Sequence, residues 1–317
     1  MKVDYKFKQV KKISSNLLWY IFLIPMSFTL IYPILYMLVM AFRPSSDLLD
    51  QSIVWISSQI TTNNIKVMWE QMDFKTILIN SLLLSFGSAI LSTVTCALTG
   101  YGFARFKFKE KSFWMIILFI TIVLPPSVTG VASYLEMKDF TFFGILQIFR
   151  SITGATFEIN LLDTPAVYLL PAFFGAGIFS GMFVLIFMQF FKGFPKELED
   201  SAYIDGAGPI KTFVRVVLPN MKPPIVVVGL LSTVWYWNDT EISGTYLTDM
   251  SVVSKRLLTV YTDMTEVLNV ASGLGTYHEE VVYIQAAMLM AIIPMLILFV
   301  ISQKVFVESV TNSGIVG

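Results

Sequence analysis

An all-α membrane protein with six transmembrane helices is the fold class this sequence predicts, and three observations carry it. Hydrophobic residues fill 55% of the 317 positions and charged ones only 14%, against roughly a quarter charged in ordinary globular chains. Uncharged apolar runs recur along the chain, near the roughly 20 residues an α-helix needs to cross a hydrocarbon core. Lys and Arg concentrate in alternate connections between those runs, the bias that orients a chain in a bilayer.

The runs are residues 17–42, 76–104, 112–135, 164–191 and 281–303, with a shorter sixth at 223–238 that ends beside Asp239 and Glu241. The basic tail 1–16 leads into an apolar run too long for a signal-peptide core and without a small-residue cleavage site, so 17–42 reads as a retained first transmembrane helix. With the N-terminus cytoplasmic, the inner segments hold 15 of the 22 Lys and Arg but only 7 of the 22 Asp and Glu. That bias puts both termini and the connection 195–219 in the cytoplasm. Of the outer segments, 43–75 is polar with Trp55 and Trp69 and is left open between strand and short helix. Within 136–163, the stretch 140–152 is apolar but too short to span, and reads as an amphipathic helix on the outer surface. Segment 239–280 is punctuated by turn-like GTYL and SGLGTY. Gly100, Gly102, Gly175, Gly177 and Gly181 permit close helix approach, read as packing, and Pro125, Pro126, Pro171 and Pro294 are candidate kinks.

Composition also excludes. Zero net charge gives no electrostatic case for nucleic acid, and a single cysteine, Cys96, with a single histidine, His278, rules out a disulfide framework and a Cys- or His-based metal site. No G-x-x-x-x-G-K-[ST] loop occurs, so this chain binds no nucleotide through that motif. A secondary transporter or channel driven by an ion gradient is the competing class. It would call for intramembrane carboxylates, and the six runs contain none. A membrane enzyme is weaker still, for no catalytic set converges.

The segment 195–219, PKELEDSAYIDGAGPIKTFVRVVLP, is the long charged stretch between two apolar ones. Pro195 suits a first helical position, and Glu197, Glu199 and Asp200 fall in early turns where the helix dipole favours anions. Gly206 fits the left-handed residue that ends a helix, Gly208 and Pro209 the start of another. Ile210, Phe213, Val214 and Val217 then fall at i, i+3, i+4 and i+7, an apolar stripe closed by Pro219. The spacing resembles the cytoplasmic EAA loop of ABC importer permeases: Glu-Ala-Ala, three residues, Gly, nine residues, Ile-x-Leu-Pro. Asp200, Ser201 and Ala202 take the first three places and Gly206 the glycine; Val216 stands for the Ile, ahead of Leu218 and Pro219.

Further matches resemble the carbohydrate-uptake branch of that family, in particular its smaller maltose-type subunit. They are Tyr101-Gly-Phe-Ala-Arg-Phe106, Leu124-Pro-Pro126, Leu161-Leu-Asp-Thr164, Trp237-Asn-Asp239 and the tail Gln303-Lys-Val-Phe-Val-Glu308 with Thr311 and Gly317. The resemblance implies a type I ABC importer permease bundle with a core domain at 76–303, a coupling loop at 195–219 and a C-terminal tail at 304–317. Residues 141–159, with apolar Phe142, Phe143, Ile145, Leu146, Ile148 and Phe149, match nothing in that pattern and read as an outer insertion. Implied partners are a homologous second permease, a cytoplasmic ATPase dimer that uses ATP and Mg, an external solute-binding protein, a carbohydrate and the bilayer of a bacterial or archaeal cell membrane. This chain itself would bind no cofactor and catalyse nothing. Glu199, Asp200, Ser201, Ala202, Asp205, Gly206, Leu218 and Pro219 become the ATPase-coupling residues. Trp235, Tyr236, Trp237, Asn238 and Asp239 are candidates for a solute path, against the plainer reading that Trp and Tyr mark the membrane interface.

Overall fold

The computed structural model describes residues 2–50, 55, 57, 59–142, 144–272 and 279–313; Phe143, His278, Gly317 and most of the SGLGTY stretch lie outside them. Every regular element among the described residues is helical. Two compact units result, 1–73 with 259–292, and 74–258 with 293–317.

In the first unit, α1 (Lys2–Ala41) runs the basic tail into the first apolar run without a break. Its stretch Trp19–Ala41 is long and apolar enough to cross a membrane, and Trp19, Ile24 and Leu30 are all exposed. A 3-10 turn, Ser45–Leu49, precedes α2 (Asn63–Gln71), which settles 43–75 as partly helical. The buried Asn64 side chain donates to the Ala41 and Arg43 carbonyls at 3.1 and 2.8 Å, tying α2 to the end of α1.

The second unit is built on α3 (Phe74–Arg105). Its buried face is mostly small or hydroxylic: Ser81, Ser85, Ser88, Ala89, Ser92, Thr93, Cys96, Ala97 and Gly100 recur at three- and four-residue spacing, while Leu83, Ile90, Val94 and Leu98 point outward. Small residues let helices approach closely where lipid offers no hydrophobic drive. At Gly100 an added Cβ would stand 2.7 Å from Phe187 Cβ and 3.0 Å from backbone atoms of Val184 and Met188, whereas at Gly102 it would meet open space. The close approach read from both glycines therefore holds at the first alone.

Two of the apolar runs are broken. After α4 (Lys111–Val123), Leu124 and Pro125 are extended, and α5 (Pro126–Lys138) leaves at an angle of 101°. Proline lacks the N–H that would continue the ladder and pushes the preceding residue out of the helical region. The run 164–191 becomes α7 (Ala166–Phe173) and α8 (Ser180–Gly193). The first ends in a Schellman turn: Gly175 has φ +72°, its N–H bonds Ala172 O, and Ala176 N–H bonds Pro171 O at 2.8 Å. Phe179, a non-glycine at φ +54°, then restarts the helix. Hydropathy reads straight through such breaks because their residues are apolar.

Between these runs, α6 (Ile145–Thr153) lies between two left-handed glycines, Gly144 and Gly154. Backbone bonds from Phe140 to Ile159 and from Leu161 to Met137, both 2.8 Å, close the base of this insertion. An Arg150–Asp139 ion pair at 2.7 Å braces it. The amphipathic helix is as expected, but Ile145, Ile148, Phe149 and Ile152 stay exposed.

Beyond α8 come α9 (Lys196–Ile204), α10 (Pro209–Thr212), a π-turn (Phe213–Val217), α11 (Leu218–Asn220) and α12 (Lys222–Trp237). The segment 239–280, expected to be outer and turn-rich, instead contains α13 (Glu241–Tyr246) and the 20-residue α14 (Val253–Ser272), and Gly244 lies inside a helix. Asp163 clamps the connection between them: its Oδ1 accepts the N–H groups of Thr248, Asp249 and Met250 at 2.9, 3.0 and 2.8 Å. Those bonds, Met250's first, hold its carboxyl below the usual carboxylate range. Finally α15 (Glu279–Ser313) carries the last apolar run onward through most of the 304–317 tail, so the boundary expected at 304 is not a break in structure.

Candidate functional site

The segment 195–219 folds as two helical pieces about a glycine elbow. Pro195 sits at the N-cap of α9 with extended ψ, and Glu197 and Glu199 occupy the first turns. The helix closes in a Schellman motif: Ala207 N–H bonds Ala202 O at 2.9 Å, Gly206 N–H bonds Tyr203 O at 3.0 Å, and Gly206 takes φ +77°. That is the geometry in which glycine is favoured, since a Cβ would crowd the backbone at positive φ. Gly208 and Pro209 then start α10.

In the second piece the expected stripe divides. Phe213 and Val217 are buried, while Ile210 and Val214 are 81% and 51% exposed. A π-turn spaces its bonds at i→i+5, so the two i,i+4 rows no longer share one face. Pro219 does not stop the run at 218, since the helix reaches Asn220 and only then bends by 79° into α12.

Most residues assigned to coupling face outward. Asp200, Ser201, Asp205, Gly206 and Pro219 are exposed, Ala202 and Leu218 half-buried. With Leu198, Tyr203, Ile204, Ile210 and Val214 also exposed, the loop offers an apolar surface edged by charge. Glu199 is the exception. It is 4% exposed and turned inward, its Oε1 2.7 Å from Arg105 Nε and its Oε2 accepting the Tyr101 hydroxyl at 2.9 Å. The Arg105 contact has the distance of an ion pair but not the angle of a hydrogen bond. Arg105 also donates through Nη2 to Phe194 O at 2.6 Å. Tyr101 and Arg105 were legible as part of a family run but not as partners of the loop. The available signal was their i,i+4 spacing on the last turn of a span, where a cation and a hydroxyl call for an acid.

The five path candidates are split. Trp235 and Asn238 are exposed, Tyr236 and Trp237 buried. Trp235 and Tyr236 brace the break between α7 and α8: the Phe179 and Trp235 rings lie 4.4 Å apart, and the Tyr236 hydroxyl accepts Ile178 N–H at 3.2 Å. Asp239 is a structural junction, its Oδ2 accepting the Tyr168 hydroxyl at 2.6 Å and Ser243 N–H at 3.0 Å at the start of α13.

Apolar helices long enough to cross a membrane, others bent or broken at prolines and glycines, and an exposed two-helix loop mark a multi-span membrane protein. The chain belongs to the family of binding-protein-dependent transport system inner membrane components, whose pattern matches residues 97–312. Among its relatives is the arabinooligosaccharides transport system permease protein AraQ of Halalkalibacterium halodurans, 26% identical over 92% of this chain and 93% of that one. The melibiose/raffinose/stachyose import permease protein MelC of Bacillus subtilis is 26% identical over 84% and 86%. The maltodextrin transport system permease protein MalD of Streptococcus pneumoniae is 25% identical over 96% and 97%. A chain of a bacterial ABC transporter involved in the import of the acidic polysaccharide alginate shares the fold, with a TM-score of 0.69 at 17% identity over 93% and 96% of the two chains.

Proposed function

We propose that this chain is one permease subunit of an ATP-driven importer that carries an oligosaccharide, handed over by an extracellular solute-binding protein, into the cytoplasm. The observation that carries the solute class is the end-to-end likeness to permeases of arabinooligosaccharide, melibiose/raffinose/stachyose and maltodextrin systems. In this reading six spans cross the cytoplasmic membrane with both termini inside. Among the described residues, three helices are long and apolar enough to cross alone, Trp19–Ala41, Phe74–Arg105 and Glu280–Phe306. Each bent pair, α4 with α5 and α10–α11 with α12, counts as one more, and α7 with α8 as the sixth. Residues 76–303 are the transport core and 17–42 a helix that wraps the homologous partner permease, in keeping with the exposure of α1.

The coupling role falls to 195–219. Asp200, Ser201, Ala202, Asp205 and Gly206, with Leu218 and Pro219 shaping the return, form the face that an ATPase dimer engages; ATP and Mg are handled by that dimer. Glu199 serves the same role from inside. Trp235 and Asn238 are the exposed remnant of the solute path, and Tyr236, Trp237 and Asp239 support it. The test is reconstitution of the chain with its partner permease, ATPase and binding protein in vesicles. ATP-dependent uptake of an α- or β-linked oligosaccharide supports the reading. Uptake driven by an ion gradient without ATP overturns it.

A further inference from the structure

Glu199 stands out among the acids of the coupling loop, since Glu197 and Asp200 on either side are exposed while it is not. Its ion pair with Arg105 is almost wholly enclosed, the two side chains being 8% and 6% exposed. Burying two charges is expensive, and an apolar pair of the same volume commonly stabilises as well or better. What the charged pair adds is a fixed register, and here it is fixed between two elements with different roles.

The contacts spread over the whole loop. Arg105 ends α3 and holds the Phe194 carbonyl, one residue before the proline that opens α9. Its ion pair and the Tyr101 hydroxyl hold Glu199. The Tyr101 ring meets Phe191 at the end of α8 at 5.3 Å and Phe213 in the π-turn at 4.8 Å. One turn of α3 therefore grips the approach to the loop, its first helix and its second piece.

We infer that Arg105, Glu199 and Tyr101 form a latch that makes the coupling loop and the cytoplasmic end of α3 one rigid body, so that displacement of α9 is delivered to the second span. The inference rests on the proposed coupling role of 195–219. The three are positioning residues: they touch neither solute nor nucleotide. Without the latch, α9 still presents Asp200, Ala202 and Gly206, but its movement is absorbed locally.

The test uses the assembled transporter with Glu199→Gln, Arg105→Met, and the double variant Arg105→Met/Glu199→Leu, which leaves no unpaired buried charge and so guards against misfolding. ATPase pull-down reads docking, and solute-stimulated hydrolysis reads coupling. Spin labels at the exposed positions 107 and 197, in a Cys96→Ser background that removes the chain's one cysteine, read rigidity as the width of the distance distribution. The latch predicts normal pull-down, stimulation lower by about tenfold or more, and a broadened distribution in all three variants. Normal stimulation with an unbroadened distribution in the double variant overturns it. So does loss of pull-down, which would make the cluster a support of the docking face only. Ala202→Glu separates the two levels. If that variant abolishes stimulation while the double variant keeps it, the latch alone fails; if Ala202→Glu also keeps it, the coupling assignment of the loop fails first.

Discussion

Replacing Gly100 by alanine tests the packing of α3 on α8, on which the second unit is built. The new Cβ would lie 2.7 Å from Phe187 Cβ and 3.0 Å from backbone atoms of Val184 and Met188, where ordinary contact begins at 3.4 Å. None of these atoms is the free end of a side chain, so α8 must retreat by about 0.7 Å. Overpacking of this kind costs about 1–3 kcal/mol. Alanine in a helix returns about 1 kcal/mol relative to glycine. Gly102, two residues on, supplies the control, because an added Cβ there meets nothing within 4 Å. The propensity gain is common to both sites, so the difference between Gly100→Ala and Gly102→Ala isolates the packing cost, about 1–3 kcal/mol. At about 2–4 °C per kcal/mol for a chain of this order of size, thermal unfolding of the purified permease in mild detergent should separate the variants by several degrees. Gly102→Ala should match or exceed the wild type. Equal midpoints for the two variants would refute the close approach at Gly100.

Other outcomes are equally open to measurement. A topology reporter after Lys109 or Lys196 should be cytoplasmic and one within 141–159 external; an odd number of spans would undo the assignment of the loop to the ATPase side. If the exposed Ile145, Ile148, Phe149 and Ile152 pack on the outer face or against the binding protein, deleting 141–159 should impair solute delivery while the ATPase still co-purifies; unchanged transport would refute that. Asp163→Asn should speed amide exchange at Thr248, Asp249 and Met250, whose N–H groups its carboxylate accepts. Since the folded carboxyl is held below its ordinary value, the clamp contributes fully above about pH 4 and weakens as pH falls through the lowered value. Protection that is flat down to strongly acid pH, and insensitive to the asparagine, would contradict this.

The elements legible in the sequence are those whose cause is local. Gly206 at φ +77° closes α9 where its spacing said it would, and Pro209 opens the next piece. What escaped depends on tertiary context. The long helix α14 hides because its buried hydrophobic residues among those described, Val253, Val260 and Met264, are few, and the intervening Thr, Asp and Glu dilute the periodicity. The break at 174–179 is built from apolar residues and held by Tyr236 and Trp235 from a distant helix, so hydropathy cannot register it. Glu199 lies in a charged run that reads as solvated. Its burial follows from Arg105 and Tyr101, more than ninety positions away, and their i,i+4 spacing calls for an acid without saying which one.

Coupling through 195–219 is the centre of the functional account, and two substitutions outside every span test it most directly. Ala202→Glu places a bulky charge on a half-buried position of α9, where docking would leave it unpaired in an interface, at a cost of several kcal/mol. Gly206→Val meets open space but opposes the φ of +77°, a local strain of about 1–2 kcal/mol for a side chain held in the left-handed region. Both variants should reach the membrane at normal levels. Pull-down of the ATPase together with solute-stimulated hydrolysis in reconstituted vesicles is the measurement. The account predicts that each variant loses the bound ATPase or the stimulation; full stimulation in both would contradict it.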